Sequence, residues 1–229
     1  MKIVIIHGQN HKGSTYHIAR MLAEKIKGDI KEFFLPRDFG EFCVGCTKCF
    51  MESEKKCPHY EKLKPLTDAM DEADVIILAS PVYVYHVTGA MKTFLDHYGY
   101  RWMVHRPKES MFSKQGVCIS TAAGAGMKPT NKDMADSLFF WGVAKRYQYG
   151  VRVAAVNWNG VSEKKKCAID KATSGIAKKI VNNSKHVKPG TKTRAMFWAM
   201  HFAQRKGFNP CDAEYWKSKG WTGKKRPWK

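Results

Sequence analysis

The chain has 229 residues, of which 44% are hydrophobic and 26% charged, so it is long and apolar enough to bury the core of one α/β domain. Its formal net charge is +20, and the stretch from residue 163 to residue 229 holds 18 Lys or Arg against 4 Asp or Glu. Such an excess favours contact with nucleic acid or an anionic surface, but no zinc-finger, RNP or helix-turn-helix signature accompanies it. We therefore expect no specific nucleic-acid binding.

Only five apolar residues precede His7, which is too few for a signal peptide or a transmembrane segment. We therefore expect a cytoplasmic protein. In that compartment the seven cysteines are normally reduced, so metal binding, redox chemistry and simple burial are the roles that compete for them.

The first twenty residues are typical of a strand, a glycine-containing loop and a helix. Residues 3–7 form a short apolar run, and a helical pattern begins at Ser14 and continues to residue 27. The N–H groups at a helix start have no intrahelical partner, so such a loop can hold a phosphate, and the hydroxyls of Ser14 and Thr15 would add donors. The spacings GxGxxG and GxxxxGK(S/T) are absent, which argues against a dinucleotide Rossmann site and a P-loop nucleotidase.

Strand and helix patterns alternate along the rest of the chain. Residues 74–80 form the strongest strand pattern, an apolar run without polar alternation, which is typical of a parallel strand buried on both faces. The alternation predicts an α/β fold with a doubly wound, five-stranded parallel sheet. The other predicted strands are 29–36, 115–121 and 148–156, and the other predicted helices are 61–72, 89–100, 130–141 and 162–182.

Three loops follow predicted strands and would meet at one edge of such a sheet. The first, after residue 7, suits a single terminal phosphate. The second, residues 81–86, offers backbone amides and two tyrosine rings to a flat isoalloxazine, and the third, residues 122–126, is small enough for a ring to approach closely. Each loop alone is also typical of an ordinary surface turn, but together they favour FMN over a nicotinamide dinucleotide.

These loops lie in the segments HGQNHKGSTYHIA, SPVYVYHVTGAMKTFLDH and TAAGAGM, which together with FFWGV resemble the flavodoxin-like NADPH-dependent FMN reductase family over residues 1–156. The resemblance implies the strand order 2-1-3-4-5, bound FMN, NAD(P)H as electron donor and a small-molecule electron acceptor. It implies no catalytic acid or base, because the flavin carries the chemistry. By position it also implies residues that contact FMN, namely Gln9, His11, Ser14 and Thr15 around the phosphate and ribityl chain, Pro81, Val82, Tyr83 and Val84 along the ring, and Thr121, Ala123 and Gly124 on its other side.

One departure from the family lies in the first loop. Many relatives have Ser-Pro-Arg there, whereas this chain has Gln9, Asn10 and His11. Histidine is a weaker and pH-dependent cation, so we expect a looser grip on the phosphate. Two further histidines, His17 and His97, are expected to pack or to face solvent rather than to catalyse.

Four cysteines, Cys43, Cys46, Cys49 and Cys57, form a C-x2-C-x2-C-x7-C run in a predicted insertion at residues 40–60. Three thiols two residues apart can wrap one face of a cubic cluster, and a fourth can complete the ligation. The run resembles the motif of the iron–sulfur flavoprotein branch, which implies a [4Fe–4S] cluster and ferredoxin as a partner. Unligated thiols are an equally supported interpretation, and zinc or a redox disulfide is a lesser alternative. The remaining cysteines are predicted to be structural: Cys118, Cys167 and Cys211.

Residues 1–182 are thus predicted to form the FMN-binding domain, and residues 183–229 a basic, otherwise irregular extension with one helix at 194–205. That helix is apolar around most of its circumference, so it would cover the domain, a partner subunit or a membrane interface. Because reductases that resemble this chain are generally dimers or tetramers, we expect it to contact another subunit of a homodimer or homotetramer. The rival interpretations are an iron–sulfur electron carrier and a non-catalytic flavodoxin-like binding module.

Overall fold

A five-stranded sheet lies at the centre of the computed structural model, which describes residues 1–229. All neighbouring strands are parallel and follow the order β2-β1-β3-β4-β5, so the predicted fold class and strand order are confirmed. The strands are β1 (Lys2–His7), β2 (Asp29–Phe34), β3 (Val75–Pro81), β4 (Gln115–Ala122) and β5 (Lys145–Arg152). The helices are α1 (Ser14–Ile26), α2 (Lys48–Met51), α3 (Tyr60–Glu72), α4 (Gly89–Asp96), α5 (Met127–Phe140), α6 (Glu163–Asn183), α7 (Thr191–Arg205) and α8 (Pro210–Ser218).

Both faces of the central strands are buried, because successive side chains of a strand point to opposite sides. Ile3 and Ile5 of β1 pack with α1 and α6 on one face, whereas Val4 and Ile6 pack with α3, α4 and α5 on the other. Every residue of β3 from Val75 to Ser80 is at most 1% exposed, as the unbroken apolar run predicted. Each such aliphatic side chain contributes about 1.5–3 kcal/mol by leaving water.

The predicted bounds of β5 were wrong. The predicted strand 148–156 starts three residues late and ends four residues late, because β5 is an edge strand whose polar alternation hides its start. Its last partner pair is Ala122 with Arg152, and the chain then leaves the sheet where Ala154 adopts a φ of 51°. Residues 153–156 therefore form a loop at the carboxyl end of β5.

Three helix boundaries also differ from the predictions by three residues or more, and one of them is the start of α7 at Thr191 instead of residue 194. Helix α4 ends at Asp96 instead of residue 100, because the amides of His97 and Tyr98 bond to carbonyls three residues back and tighten the chain into a 3₁₀ turn. Helix α5 begins at Met127 instead of residue 130, because a proline such as Pro129 is tolerated in the first helical turn.

The extension is more regular than predicted, since it contains α8 as well as α7. Its apolar cluster joins Phe197, Trp216 and Trp221 to Met103 and Phe112 of the preceding segment, and all five side chains are fully buried. The indole N–H of Trp216 also donates to the carbonyl of His105 at 2.6 Å. The extension thus packs on its own chain. None of the helices combines the length and the apolar composition that crossing a bilayer would require.

We expect Trp216→Ala to lower the free energy of unfolding by about 3–5 kcal/mol, because it empties a buried site in this cluster and leaves the His105 carbonyl without its donor. The control is Trp198→Ala on α7, which removes a tryptophan that is 42% exposed. This variant should lower the free energy of unfolding by less than about 1 kcal/mol. Urea unfolding curves of the two variants measure the difference. Equal losses would contradict this account of the extension.

Candidate functional site

Three loops meet where β1, β3 and β4 end, beside the point at which the chain reverses its winding direction. The hydroxyls of Thr15 and Thr121 lie 2.6 Å apart and are buried, which joins the start of α1, directly after the first loop, to the end of β4, directly before the third. The hydroxyl of Tyr83 donates to Oε1 of Gln9 at 3.1 Å, which joins the second loop to the first. The three loops therefore form one crevice.

The crevice contains a cavity of about 170 Å³ that nine of the eleven predicted FMN-contacting residues line. Two do not line it: Val84 is 92% exposed at the tip of its turn, and Gly124 is exposed, with open space where a Cβ would lie. The cavity is smaller than the roughly 300 Å³ at which ligand pockets usually begin, so it would enclose only part of an FMN-sized molecule. Cavities of about 320 and 530 Å³ lie elsewhere, and no predicted FMN-contacting residue lines them.

Four lining residues were missed by the sequence analysis. Three follow β5, so the late placement of that strand hid a fourth loop at the same edge of the sheet. The turn residues Asn157, Asn159 and Gly160 were the available signal, since they mark a loop soon after the strand. Arg152 at the end of β5 also donates to the carbonyl of Ala123 at 3.1 Å and braces the third loop. The missed lining residues are Ala122, Val153, Ala155 and Val156.

The start of α1 supplies anion-binding groups to this crevice. Its N-cap residue, Gly13, makes no side-chain capping bond, and its first turn contains no acidic residue. The side chain of His11 folds over Gly13, where a Cβ would lie 2.6 Å from its Nε2. The first amides of α1 thus remain available to an anion beside the hydroxyls of Ser14 and Thr15.

The second loop is a two-residue turn in a strained conformation. The backbones of Tyr83 and His86 exchange both hydrogen bonds, at 2.9 and 3.0 Å. Between them Val84 and Tyr85 have φ values of 48° and 66°, the arrangement of a type I′ turn that normally holds Asn or Gly. Such strain concentrates at ligand-binding positions and costs about 1–3 kcal/mol per residue. The turn presents the rings of Tyr83 and Tyr85, which are 52% and 63% exposed, to solvent.

Contacts from α5 hold this turn in place. Nδ1 of His86 lies 3.0 Å from a carboxylate oxygen of Asp133, and the amide of Val87 donates to the same oxygen at 3.4 Å. Gly126, just before α5, has a φ of 97°, and a Cβ there would lie 2.6 Å from a methyl group of Val82. The second and third loops therefore fit against each other only with glycine at this position.

The four cysteines of the predicted cluster line one cavity of about 70 Å³. Cys43 and Cys46 are exposed, whereas Cys49 and Cys57 are partly buried. Burial, followed by the three neighbouring thiols, raises the pKa of Cys49 to about 11, and burial also raises the pKa of Cys57. A set of four thiolate donors is the one that iron–sulfur clusters use, so the donor chemistry fits such a group.

The C-terminal extension holds the cysteine segment. The guanidinium of Arg106 donates to the carbonyls of Cys49 and Phe50, and Asn209 donates to the Phe50 carbonyl at 3.2 Å. Arg106 is fixed in turn by the buried carboxylate of Asp212 on α8, at 2.6 Å. Sequence reasoning missed these residues, because nothing in the local pattern connects segments that are 56 to 159 residues apart.

The structure agrees with some of the roles predicted for the other cysteines and histidines and disagrees with others. Cys118 is fully buried in β4, as predicted, and the thiol of Cys211 bonds to the carbonyl of Met51 at 2.8 Å. Cys167 is exposed, which does not fit the structural role predicted for it. His17 stacks on an indole ring, as expected for a packing residue. His97 is buried, but it also lines the cysteine cavity.

Comparison with known proteins identifies residues 1–153 as a match to the sequence profile described as NADPH-dependent FMN reductase. An iron–sulfur flavoprotein from Archaeoglobus fulgidus is 39% identical over 88 residues, which cover 37% of this chain and 36% of the relative. An NADPH azoreductase from Bacillus sp. (strain OY1-2) is 31% identical over 130 residues, which cover 55% of this chain and 61% of the relative. The chain thus spans less than two thirds of the length of either curated relative.

A solved structure supports the fold. It is the FMN-dependent NADH-azoreductase of Bacillus anthracis str. Ames Ancestor in complex with FMN, which superimposes with a TM-score of 0.55 at 12% identity. The superposition covers 77% of this chain and 100% of the other. At that identity the likeness establishes the shared fold and nothing about the ligand.

We expect iodoacetamide at pH 8 to modify Cys43 and Cys46 at least roughly tenfold faster than Cys49 in the metal-free folded protein. A thiol with a pKa of about 11 is only about 0.1% thiolate at pH 8, and the thiolate is the reactive form. Cys118 should react only after unfolding, because it is buried and burial raises its pKa. Peptide mass spectrometry over time measures the four rates. Modification of Cys49 as fast as Cys43 would contradict this arrangement.

Proposed function

Because the chain belongs to the NADPH-dependent FMN reductase family, we propose that it binds FMN in the three-loop crevice and transfers electrons from NAD(P)H to a small-molecule acceptor. The observation that carries the proposal is the pair of hydrogen bonds, Thr15 with Thr121 and Tyr83 with Gln9, that gather three strand-end loops into one site. A phosphate-binding helix start and an exposed aromatic turn lie on either side of these bonds.

Each part of the crevice suits one part of FMN. The free amides of α1, with Ser14 and Thr15, suit the phosphate, and His11 lines the same cavity. The backbone of Pro81 and Val82 and the small side chain of Ala123 suit the edge and face of the ring. When bound, FMN supplies the hydride-accepting and electron-donating chemistry, and the chain supplies position and shields part of the site from water.

We infer the class of electron acceptor from the exposure of the second loop to solvent. The turn at Val84 and Tyr85 is exposed, so a flat aromatic molecule could reach a ring that rests beside it. The relative named NADPH azoreductase supports an azo dye as acceptor for this chain. A quinone and a free flavin are flat molecules that could reach the same face. The decisive experiment reconstitutes the purified protein with FMN and follows NADPH and NADH oxidation with each acceptor. If the protein retains no FMN after reconstitution, the proposal fails.

We expect Thr15→Val to weaken FMN binding about tenfold, because it removes a donor beside the phosphate and leaves the buried Thr121 hydroxyl without its partner. The matched control is Thr191→Val, an exposed threonine at the start of α7, which should leave FMN affinity unchanged. Quenching of FMN fluorescence during titration gives both affinities. An unchanged affinity in Thr15→Val would place the phosphate elsewhere.

We propose as a second candidate that Cys43, Cys46, Cys49 and Cys57 hold a [4Fe–4S] cluster, which would exchange single electrons with a ferredoxin. Two observations favour it. The four thiols line one cavity, and Arg106, which is paired with Asp212 of the extension, donates to the carbonyls of Cys49 and Phe50. The similarity to an iron–sulfur flavoprotein supports the same assignment.

Purification without air should then give about four iron and four sulfide ions per chain. We expect Cys43→Ser to lose most of that iron, whereas Cys167→Ser, an exposed cysteine outside the cavity, should retain it. Iron and sulfide assays together with the visible spectrum measure the outcome. Iron-free protein with intact FMN binding would leave the four thiols unligated and the reductase proposal unaffected.

A further inference from the structure

We propose that Cys57, His59 and His97 form a binding site for a single divalent transition-metal ion of the zinc type when the four cysteines hold no cluster. This inference goes beyond the electron-transfer function proposed above and does not depend on it. The site joins the start of α3 to the end of α4, because His59 is the residue that precedes α3 and His97 the residue that follows α4.

The three ligand atoms are close enough for one ion. The thiol sulfur of Cys57 and one ring nitrogen from each histidine all lie within 4.8 Å of one another, and no other trio of Cys, His, Asp or Glu in the chain does. Nδ1 of His59 and Nε2 of His97 lie 3.0 Å apart. Tetrahedral zinc with ordinary bond lengths spaces its donors about 3.3–3.8 Å apart, so small side-chain shifts would seat the ion.

His97 is oriented as a metal ligand. Its Nδ1 lies 2.8 Å from the carbonyl of Thr93, which can only accept, so Nδ1 carries the hydrogen and Nε2 presents a lone pair to His59 and Cys57. Metal-binding histidines usually donate their second ring nitrogen in this way, which fixes both tautomer and orientation. The edge-on ring of Phe39 packs against His97 at 4.8 Å.

A fourth coordination position is available beside the trio. The same three residues line the cavity of about 70 Å³, which is several times the minimum of about 10–15 Å³ that a water molecule needs. Water from this cavity can complete the coordination. Asp96 also lines the cavity, with its carboxylate paired to Lys92 on α4. On binding, the Cys57 thiol releases its proton to solvent, and the Nδ1 proton of His59 moves to Nε2.

The ion and the cluster compete for Cys57. A cubic cluster spreads its thiolate ligands around four irons, and no three of the four cysteine sulfurs lie close enough to share one ion as they stand. The cysteine cavity therefore has two exclusive occupancies that use different donors. Cys43 would bind only the cluster, and His59 would bind only the single ion. Variants of these two residues therefore distinguish cluster binding from single-ion binding.

The test is a titration of full-length, iron-free protein with Co²⁺, a spectroscopic substitute for Zn²⁺. We expect one Co²⁺ per chain, with a thiolate charge-transfer band and tetrahedral visible bands that Zn²⁺ abolishes by displacement. His59→Ala and His97→Gln should each weaken binding at least tenfold, and Cys57→Ser should remove the charge-transfer band. The matched control, Cys43→Ser, should bind Co²⁺ like the unaltered protein. Circular dichroism spectra and thermal unfolding of each variant verify that it folds.

Two results would overturn the proposal. One is the absence of saturable one-to-one binding in the folded, unaltered protein. The other is a thiolate spectrum that Cys43→Ser removes and His59→Ala leaves unchanged, which would assign the ion to the four cysteines. FMN titrations of the same variants report on the reductase proposal separately, because His59 and His97 lie outside the crevice that would hold the flavin.

Discussion

The burial of β1 and β3 side by side on both faces is the constraint on which the rest of the structure depends. Their backbones pair residue by residue from Ile3 with Val75 to His7 with Ala79, and apolar side chains fill the layers above and below. Neighbouring strands lie about 4.8 Å apart, so the loops that follow them begin within one strand spacing of each other. This closeness lets short side chains such as Thr15 and Thr121 join loops that are far apart in sequence.

The cysteine segment depends on a second and independent framework. Residues 40–47 belong to no helix or strand, so the sheet does not fix them, and the extension secures the following turn through Arg106 and Asp212. Asp212 is 1% exposed and faces both Arg106 and His105. A buried ion pair of this kind adds little net stability, but removing one partner leaves an uncompensated charge. The pair therefore links the docked extension to the position of the cysteine segment.

Most of the sheet was predictable from the sequence because the central strands are marked by local apolar runs, such as residues 74–80. β5 was misplaced because only every second residue along most of this edge strand is partly buried, so it has no continuous apolar run. The apolar residues that follow it belong to a loop. The left-handed turn at Val84 and Tyr85 had no glycine or asparagine to reveal it. Contacts that join remote segments, such as His59 with His97, leave no trace in a local pattern.

The two occupancies proposed for the cysteine cavity differ in which residues must become ordered before a metal can bind. His97 is 6% exposed and held by Thr93, and His59 and Cys57 lie next to α3, so the donors of the single-ion site are already placed. Cys43 and Cys46 are exposed on a segment without regular structure. Fixing such backbone costs roughly 1–2 kcal/mol per residue, which a cluster must offset with four iron–thiolate bonds. The buried half of the cavity therefore favours a single ion, and the exposed half favours a cluster only when iron and sulfide supply that binding energy.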